Sequence, residues 1–273
     1  MALLNSARQS SLPVGIQKLP DVRERELVKY SFLELKIATH NFETTSDQGG
    51  FASVYKGVLR DGVEVAIKRH TDGFPSRYDE MPQKHPLIIL RSMLQHKNIV
   101  ELLGYCQEYM DVKIPKENAT DGIVPAKEEF LLLVEEYMTN GNLGNLICGG
   151  QLDWSTRLRI IEGITQGVVY LRTHSEKPIV HLDLKPDNIL LDSDMNPKIG
   201  DFGLSKELGD DEINASVRGT LGYMPREYIV EGIISLKNDA YGFGVTLLEI
   251  ICGMSESGRG ARNQASIEWY SIT

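Results

Sequence analysis

Residues 180–191 read "VHLDLKPDNILL", with Asp183, Lys185, Asp187 and Asn188 inside six positions and apolar residues on either side. Charged and amide groups crowded against an apolar run are costly unless they bind one another or a ligand. The segment therefore reads as a polar loop anchored at the rim of a core.

Working outward, "DWSTRLRIIEGITQGVVYLRTH" precedes it, with Leu158, Ile161, Ile164, Val168 and Leu171 at helical spacing. On the far side, "ISLKNDAYGFGVTLLEIICG" is apolar nearly all round and predicts a helix at the centre of a core. Nearer the N-terminus the period becomes two. Val54 and Val58 alternate with polar residues, as do Val63, Val65 and Ile67, and Asp61-Gly62 between the runs is a hairpin signal. "YSFLELKIATHNF" gives a modest helical stripe through Phe32, Leu35 and Ile37, and "EFLLLVEEYM" a buried strand. Residues 107–128 are polar without periodicity and predict a surface loop inserted between two strands. A β-rich half followed by a mainly helical half implies an α+β, bilobal fold with a cleft between the lobes. The expected division is a flexible segment 1–27, a lobe 28–138 and a lobe 139–273.

Composition narrows the function classes. The chain has 273 residues, 41% hydrophobic and 25% charged, which suits a globular protein. A net charge of −9 argues against nucleic-acid or anionic-membrane binding, which need a basic face. The three cysteines form no C-x-x-C pair and read as reduced structural thiols. No apolar run reaches the roughly 20 residues of a transmembrane helix, and the expected location is cytoplasmic.

At "HLDLKPDNILL" the sequence resembles the catalytic loop of eukaryotic protein kinases, H-R-D-L-x-x-x-N. "VAIK" with Lys68 precedes it and "KIGDFG" with Asp201-Phe202-Gly203 follows; "GTLGYMPREY" and "NDAYGFGVTLLEI" continue the resemblance. "FLELKIATHNF", "GGFASVYKGVL" and "HKNIVELLGYC" are similar to the wording of plant receptor-like kinases. The resemblance spans about residues 28–258 and implies a kinase fold using ATP and Mg²⁺, with protein substrates and receptor-like kinases as possible partners. It implies Asp183 as acceptor of the substrate hydroxyl proton and Lys185 beside the transferring phosphate, a Ser/Thr-type loop. Lys68 would hold the α- and β-phosphates, and Asn188 and Asp201 the metal, a hard cation suited to oxygen ligands. Asp47, Gln48, Gly49, Gly50, Phe51, Ala52 and Val54 would form the phosphate loop, with Ala66, Glu136, Met138 and Leu190 lining the nucleotide pocket. His181 is expected to pack and bond backbone, and Asp239 to accept N–H bonds from the catalytic loop.

Five departures from the family pattern stand out. Asp47 and Ala52 replace two glycines of the phosphate loop. The helix glutamate that would pair with Lys68 falls on Leu87, Glu80 lies before Pro82 and Pro86, and Arg91 occupies an apolar position of the stack linking the lobes. A helix starting with Pro86 at its first position and ending near Leu94 is expected. Glu135, at the back of the pocket, is a buried carboxylate that wants a cation; Lys68 is the expected partner, against the alternative that Glu135 only narrows the pocket. Leu182 replaces the loop arginine and removes a contact to a phosphorylated activation loop, leaving Ser205, Ser216 and Thr220 as possible acceptors. "MPREY" alters the turn before Glu227, and the chain stops at Thr273, so Glu227 is expected to be solvated or rearranged and the helix ending at Cys252 to expose apolar surface. Two readings follow. One is a Ser/Thr kinase of low turnover; the other is a catalytically weak pseudokinase serving as a scaffold or decoy.

Overall fold

The computed structural model describes residues 26–43, 45–48, 52–70, 84–115, 123–150, 152–209, 213–214 and 216–253. Residues 1–25, Gly49–Phe51 of the expected phosphate loop and Glu80 lie outside them.

The elements of the first half are β1 (Val28–Lys29), α1 (Phe32–Ala38), β2 (Thr45–Gln48), β3 (Ala52–Val58), β4 (Glu64–His70), α2 (Pro86–Ser92), β5 (Leu102–Pro115) and β6 (Ile123–Glu136). Their strands form one sheet in the order β1-β5-β6-β4-β3-β2, antiparallel except where β1 meets β5. The Asp61-Gly62 turn joins β3 to β4, and Gly62 takes φ +86°, a conformation open to glycine without Cβ strain.

Period-two alternation then sorts the faces. Val65 and Ile67 of β4 meet Leu132 and Val134 of β6, with Cys106, beneath Leu35 of α1. Ala66 and Lys68 of β4, opposite Glu135 and Leu133 in register, face the other way, where Ile88 of α2 packs on Leu102, Leu131 and Leu133. A capping box on Ser31 starts α1, but of its expected stripe only Leu35 is buried; Ile37 is 64% exposed. Helix α2 starts as expected, with His85 as N-cap and Pro86 at the first turn, where its missing N–H costs nothing.

Residues 107–128 differ from expectation. The β5–β6 ladder continues through Glu108↔Phe130 and Tyr109↔Glu129 to Pro115↔Ile123, so the described residues of the stretch, 107–115 and 123–128, form a two-stranded ribbon rather than a loop. The ladder to β4 ends at Arg69↔Leu132 and that to β1 at Tyr105, so among the described residues no third strand flanks the ribbon. The pairing is made by backbone groups, which carry no trace in the side-chain pattern, so no strand signal is legible in the sequence here.

The second half contains α3 (Leu143–Cys148), α4 (Trp154–Thr173), β7 (Ile179–Val180), the 3₁₀ turn Pro186–Asn188, β8 (Ile189–Leu191), β9 (Pro197–Ile199), β10 (Lys206–Glu207), β11 (Ile213–Asn214), α5 (Arg226–Glu231), β12 (Ile233–Ile234) and α6 (Leu236–Cys252). In α4 the buried line is Ile160, Gly163, Ile164, Gly167, Val168 and Leu171; Leu158 is 50% exposed, and Ile160 takes its expected place in the core. Gly163 and Gly167 let β9 and the Asn98 segment lie directly on the helix. The core of this half extends into the first through Leu90 and Leu94, packed with Phe202 in one cluster.

Helix α6 is buried along one face only, through Asn238, Asp239, Gly242, Thr246, Glu249 and Ile250. Tyr241, Leu248 and Ile251 are exposed, so the helix shows apolar surface as expected of its C-terminal part, although its composition alone suggested cover nearly all round. Its C-terminal carbonyls are held by Arg157 of α4, which donates to Ile250 O. Among the described residues no helix is long and apolar enough to cross a membrane.

Candidate active site

Lys68 is carried into the cleft by strand periodicity and is 7% exposed. Its ammonium is ion-paired with Asp201. Asp201 has φ +58°, outside the usual range for a non-glycine residue, so its surroundings rather than its own preference fix it there. Burial pushes the Asp201 carboxyl up, but the Lys68 ammonium outweighs it and holds the group at about 2.

The loop 181–188 is set by two anchors. Asp239 of α6 accepts the His181 N–H at 2.8 Å and the Leu182 N–H at 2.9 Å. Burial pushes its own carboxyl up, opposed by His181 and these bonds. His181 is fully buried, donates from Nε2 to Gly200 O at 2.8 Å, accepts the Asp183 N–H at Nδ1 and sets its ring against Phe202. It is therefore a scaffold residue, as expected. Leu182 bridges the anchors at φ +69°, its side chain buried with Val180, Met224, Tyr228 and Ile234. That side chain is part of the core and offers nothing to a phosphate.

Asp183 sits in a closed ring of polar contacts. Its Oδ2 receives Asn188 Nδ2 at 2.9 Å and Lys185 Nζ at 3.0 Å, and its Oδ1 receives the Thr220 hydroxyl at 2.7 Å. Lys185 also donates to Thr220 Oγ1 at 2.6 Å. Sequence reasoning treated Thr220 only as a possible phosphate acceptor; here its hydroxyl bridges Asp183 and Lys185. The signal available was its place in "RGTLGYM". Asn188 spends both amide hydrogens on Asp183, on the side chain and on the carbonyl at 2.7 Å, which leaves Oδ1 as its remaining ligand atom.

A cavity of about 310 Å³ opens between the halves. Its lining brings together Val54, Ala66, Lys68, Glu136, Met138, Asn188, Leu190 and Asp201, and adds Asp187, to which the sequence assigned no role, and Asn142 and Asn145, which it did not single out. Asp183 and Lys185 lie beside it, joined through Asn188. Ala52 is buried in β3 and does not line it; Asp47 and Gln48 pair as backbone with Val54 and Ser53. Asn188 Oδ1 and the Asp201 carboxylate in one cavity form an oxygen donor set that fits a hard divalent cation.

Glu135 does not pair with Lys68. Its Oε1 accepts from Arg91 Nη2 at 3.0 Å, and Lys68 is taken by Asp201. Arg91 is 1% exposed, and a guanidinium that deeply buried requires a counter-ion. Two residues that read as separate departures are thus partners. Glu135 still lines the cavity. Glu227, in the first turn of α5, is half-buried.

Residues 45–268 match the family model for the protein kinase domain. The chain is 36% identical over 259 residues to the putative cysteine-rich receptor-like protein kinase 31 of Arabidopsis thaliana, covering 92% of this chain and 36% of that protein. It is 39% identical over 264 residues to the G-type lectin S-receptor-like serine/threonine-protein kinase B120 of the same plant, covering 92% of this chain and 28% of that protein. Against the cysteine-rich receptor-like protein kinase 10, also from Arabidopsis thaliana, identity is 38% over 280 residues, with 98% and 39% covered. The chain thus spans about a third of the length of these relatives. By the family match and the plant receptor-like kinases it resembles, this chain belongs to the protein kinase family.

Proposed function

We propose that this chain is a Ser/Thr protein kinase that transfers the γ-phosphate of ATP to protein hydroxyls. The nucleotide would lie between the lobes 28–138 and 139–273. One observation carries the reading: Lys68, Asn188 and Asp201 line one cavity, and the Asp183–Lys185–Thr220 ring stands beside it. Lys68 would turn from Asp201 to the α- and β-phosphates. Asn188 Oδ1 and Asp201 would hold Mg²⁺, which when bound neutralises charge on the phosphates. Asp183 would take the proton of the substrate hydroxyl as its oxygen forms a bond to the γ-phosphorus; the bond from that phosphorus to the bridging oxygen breaks and ADP leaves. Lys185 neutralises charge on the group in flight. The description of one relative as a receptor-like serine/threonine-protein kinase supports protein hydroxyls as acceptors, and receptor-like kinases as signalling partners and a cytoplasmic site of action belong to the same reading.

The test is transfer of radiolabelled phosphate from ATP by the purified chain and by Asp183→Asn. Incorporation that disappears in the variant supports the reading. Equal background in both refutes it and favours a scaffold that binds without turnover.

A further inference from the structure

Helix α2, "PLIILRS", carries no carboxylate, and the ammonium of Lys68 is instead paired with Asp201. The tie between this helix and the sheet is made with the charges reversed. The helix supplies the cation, Arg91, and the strand supplies the carboxylate, Glu135. Arg91 Nη2 also donates to Val100 O at 2.6 Å, and the guanidinium carbon Cζ lies over the Phe202 ring, 4.5 Å from its centroid. Val100 in turn donates its N–H to Ile199 O, and Ile199 donates to Asn98 O, so the strand leading into Asp201 is held by the same segment that Arg91 grips.

An alkyl side chain would fill the space without stranding donors, yet among the described residues Arg91 Nε and Nη1 are buried with no hydrogen-bond partner. A guanidinium is the side chain able to cover a ring face and meet a carboxylate at the same time. Phe202 directly follows Asp201, whose left-handed backbone has to be held from outside.

We propose that Arg91 is a positioning residue: paired with Glu135 and set over the Phe202 ring, it holds the Asp201–Phe202 segment where the Asp201 carboxylate meets the cleft. This rests on the kinase reading for its purpose, though not for its test.

The experiment compares the parent with Arg91→Lys and with the double variant Arg91→Leu/Glu135→Leu. Replacing a buried ion pair by apolar residues preserves folding, so the double variant isolates positioning from stability. Amide hydrogen exchange is followed at Gly203 and Ser205, which donate to Asp201 Oδ1 and to Phe202 O. ATP affinity is measured with and without Mg²⁺. Expected is a parental melting temperature for the double variant, with exchange at both amides faster by about tenfold and the Mg²⁺ enhancement of ATP binding reduced by about tenfold, the scale of a desolvated cation–π contact. Arg91→Lys, which keeps the charge but not the plane, should fall between, and it decides the matter should the double variant not fold. Parental exchange at Gly203 and Ser205 in the variants would overturn the proposal and leave Arg91 as core filling. A parent that binds no ATP would refute the kinase reading, while the exchange contrast would still decide the role of Arg91.

Discussion

Replacing Asp239 by asparagine tests whether α6 shapes the loop 181–188. Asp239 is 4% exposed and accepts the N–H groups of His181 and Leu182 at 2.8 and 2.9 Å. Asparagine keeps the size, but its single oxygen can satisfy only one of the two N–H groups, and its amide nitrogen confronts the other donor. The lost charge-assisted bond is worth about 1.5–3 kcal/mol, and the orphaned N–H costs a further ~1–3 kcal/mol. Burial disfavours the native carboxylate, so the uncharged side chain recovers part of this. The net loss is about 2–4 kcal/mol, or roughly 5–15 °C in Tm at the ~2–4 °C per kcal/mol of a domain this size. Differential scanning calorimetry measures the stability change, and phosphate transfer measures the consequence for Asp183, two residues beyond His181. A variant melting within about 2 °C of the parent with undiminished transfer would refute the claim that Asp239 holds the loop.

Stability should depend on the His70 ring at mildly acid pH. Burial, aided by the Lys68 ammonium, lowers its pKa from 6.5 to about 4, against the pull of Asp201. The unfolded chain therefore binds a proton between these values that the folded chain refuses, and stability present above pH 6.5 is lost as pH falls toward 4. The upper bound is about 3 kcal/mol, reduced by solvent screening of the partly exposed ring; His70→Asn should flatten this part of a urea-unfolding profile. Two glycine substitutions in helices should act in opposite directions. A Cβ at Gly163 would meet Asn98 Nδ2 at 2.8 Å and the Pro197 ring, so Gly163→Ala should destabilise by ~1–2 kcal/mol net of its helix-propensity gain. A Cβ at Gly244 meets nothing within 4 Å among the described residues, so Gly244→Ala should stabilise by ~0.5–1 kcal/mol, both read by thermal denaturation.

The features legible in the sequence were those fixed by short-range chemistry. Asp61-Gly62 specifies its turn through backbone freedom, Pro86 fixes a helix start because it lacks an N–H, and Asp239 announces bonded partners because an isolated buried carboxylate is so costly. The residues around the cavity were legible as motifs, since each motif is local even where the site is not. What failed needed knowledge of the third dimension. The partner of Glu135 could not be read because Arg91 lies 44 positions away, and Lys68, diagonal to Glu135 across β4 and β6, looked equally well placed. Lys68 was drawn off by Asp201, which arrives from 133 positions along the chain. Leu158 fitted a helical stripe as well as Ile160 did, and the face of α4 on which β9 and the Asn98 segment lie, at Gly163 and Gly167, chose between them.

The anchoring of His181 and Leu182 by Asp239 also orders events in time. The backbone of residue 182 sits in a left-handed conformation that leucine alone would not adopt, and the bonds that hold it come from a residue 57 positions later. During synthesis every cleft-lining side chain, Asp201 included, has been added before Asp239 is. The nascent chain therefore carries a complete set of reactive groups on a loop without its final shape until the start of α6 leaves the ribosome. A fragment ending before that helix should hold its sheet and lack a settled phosphate-transfer centre.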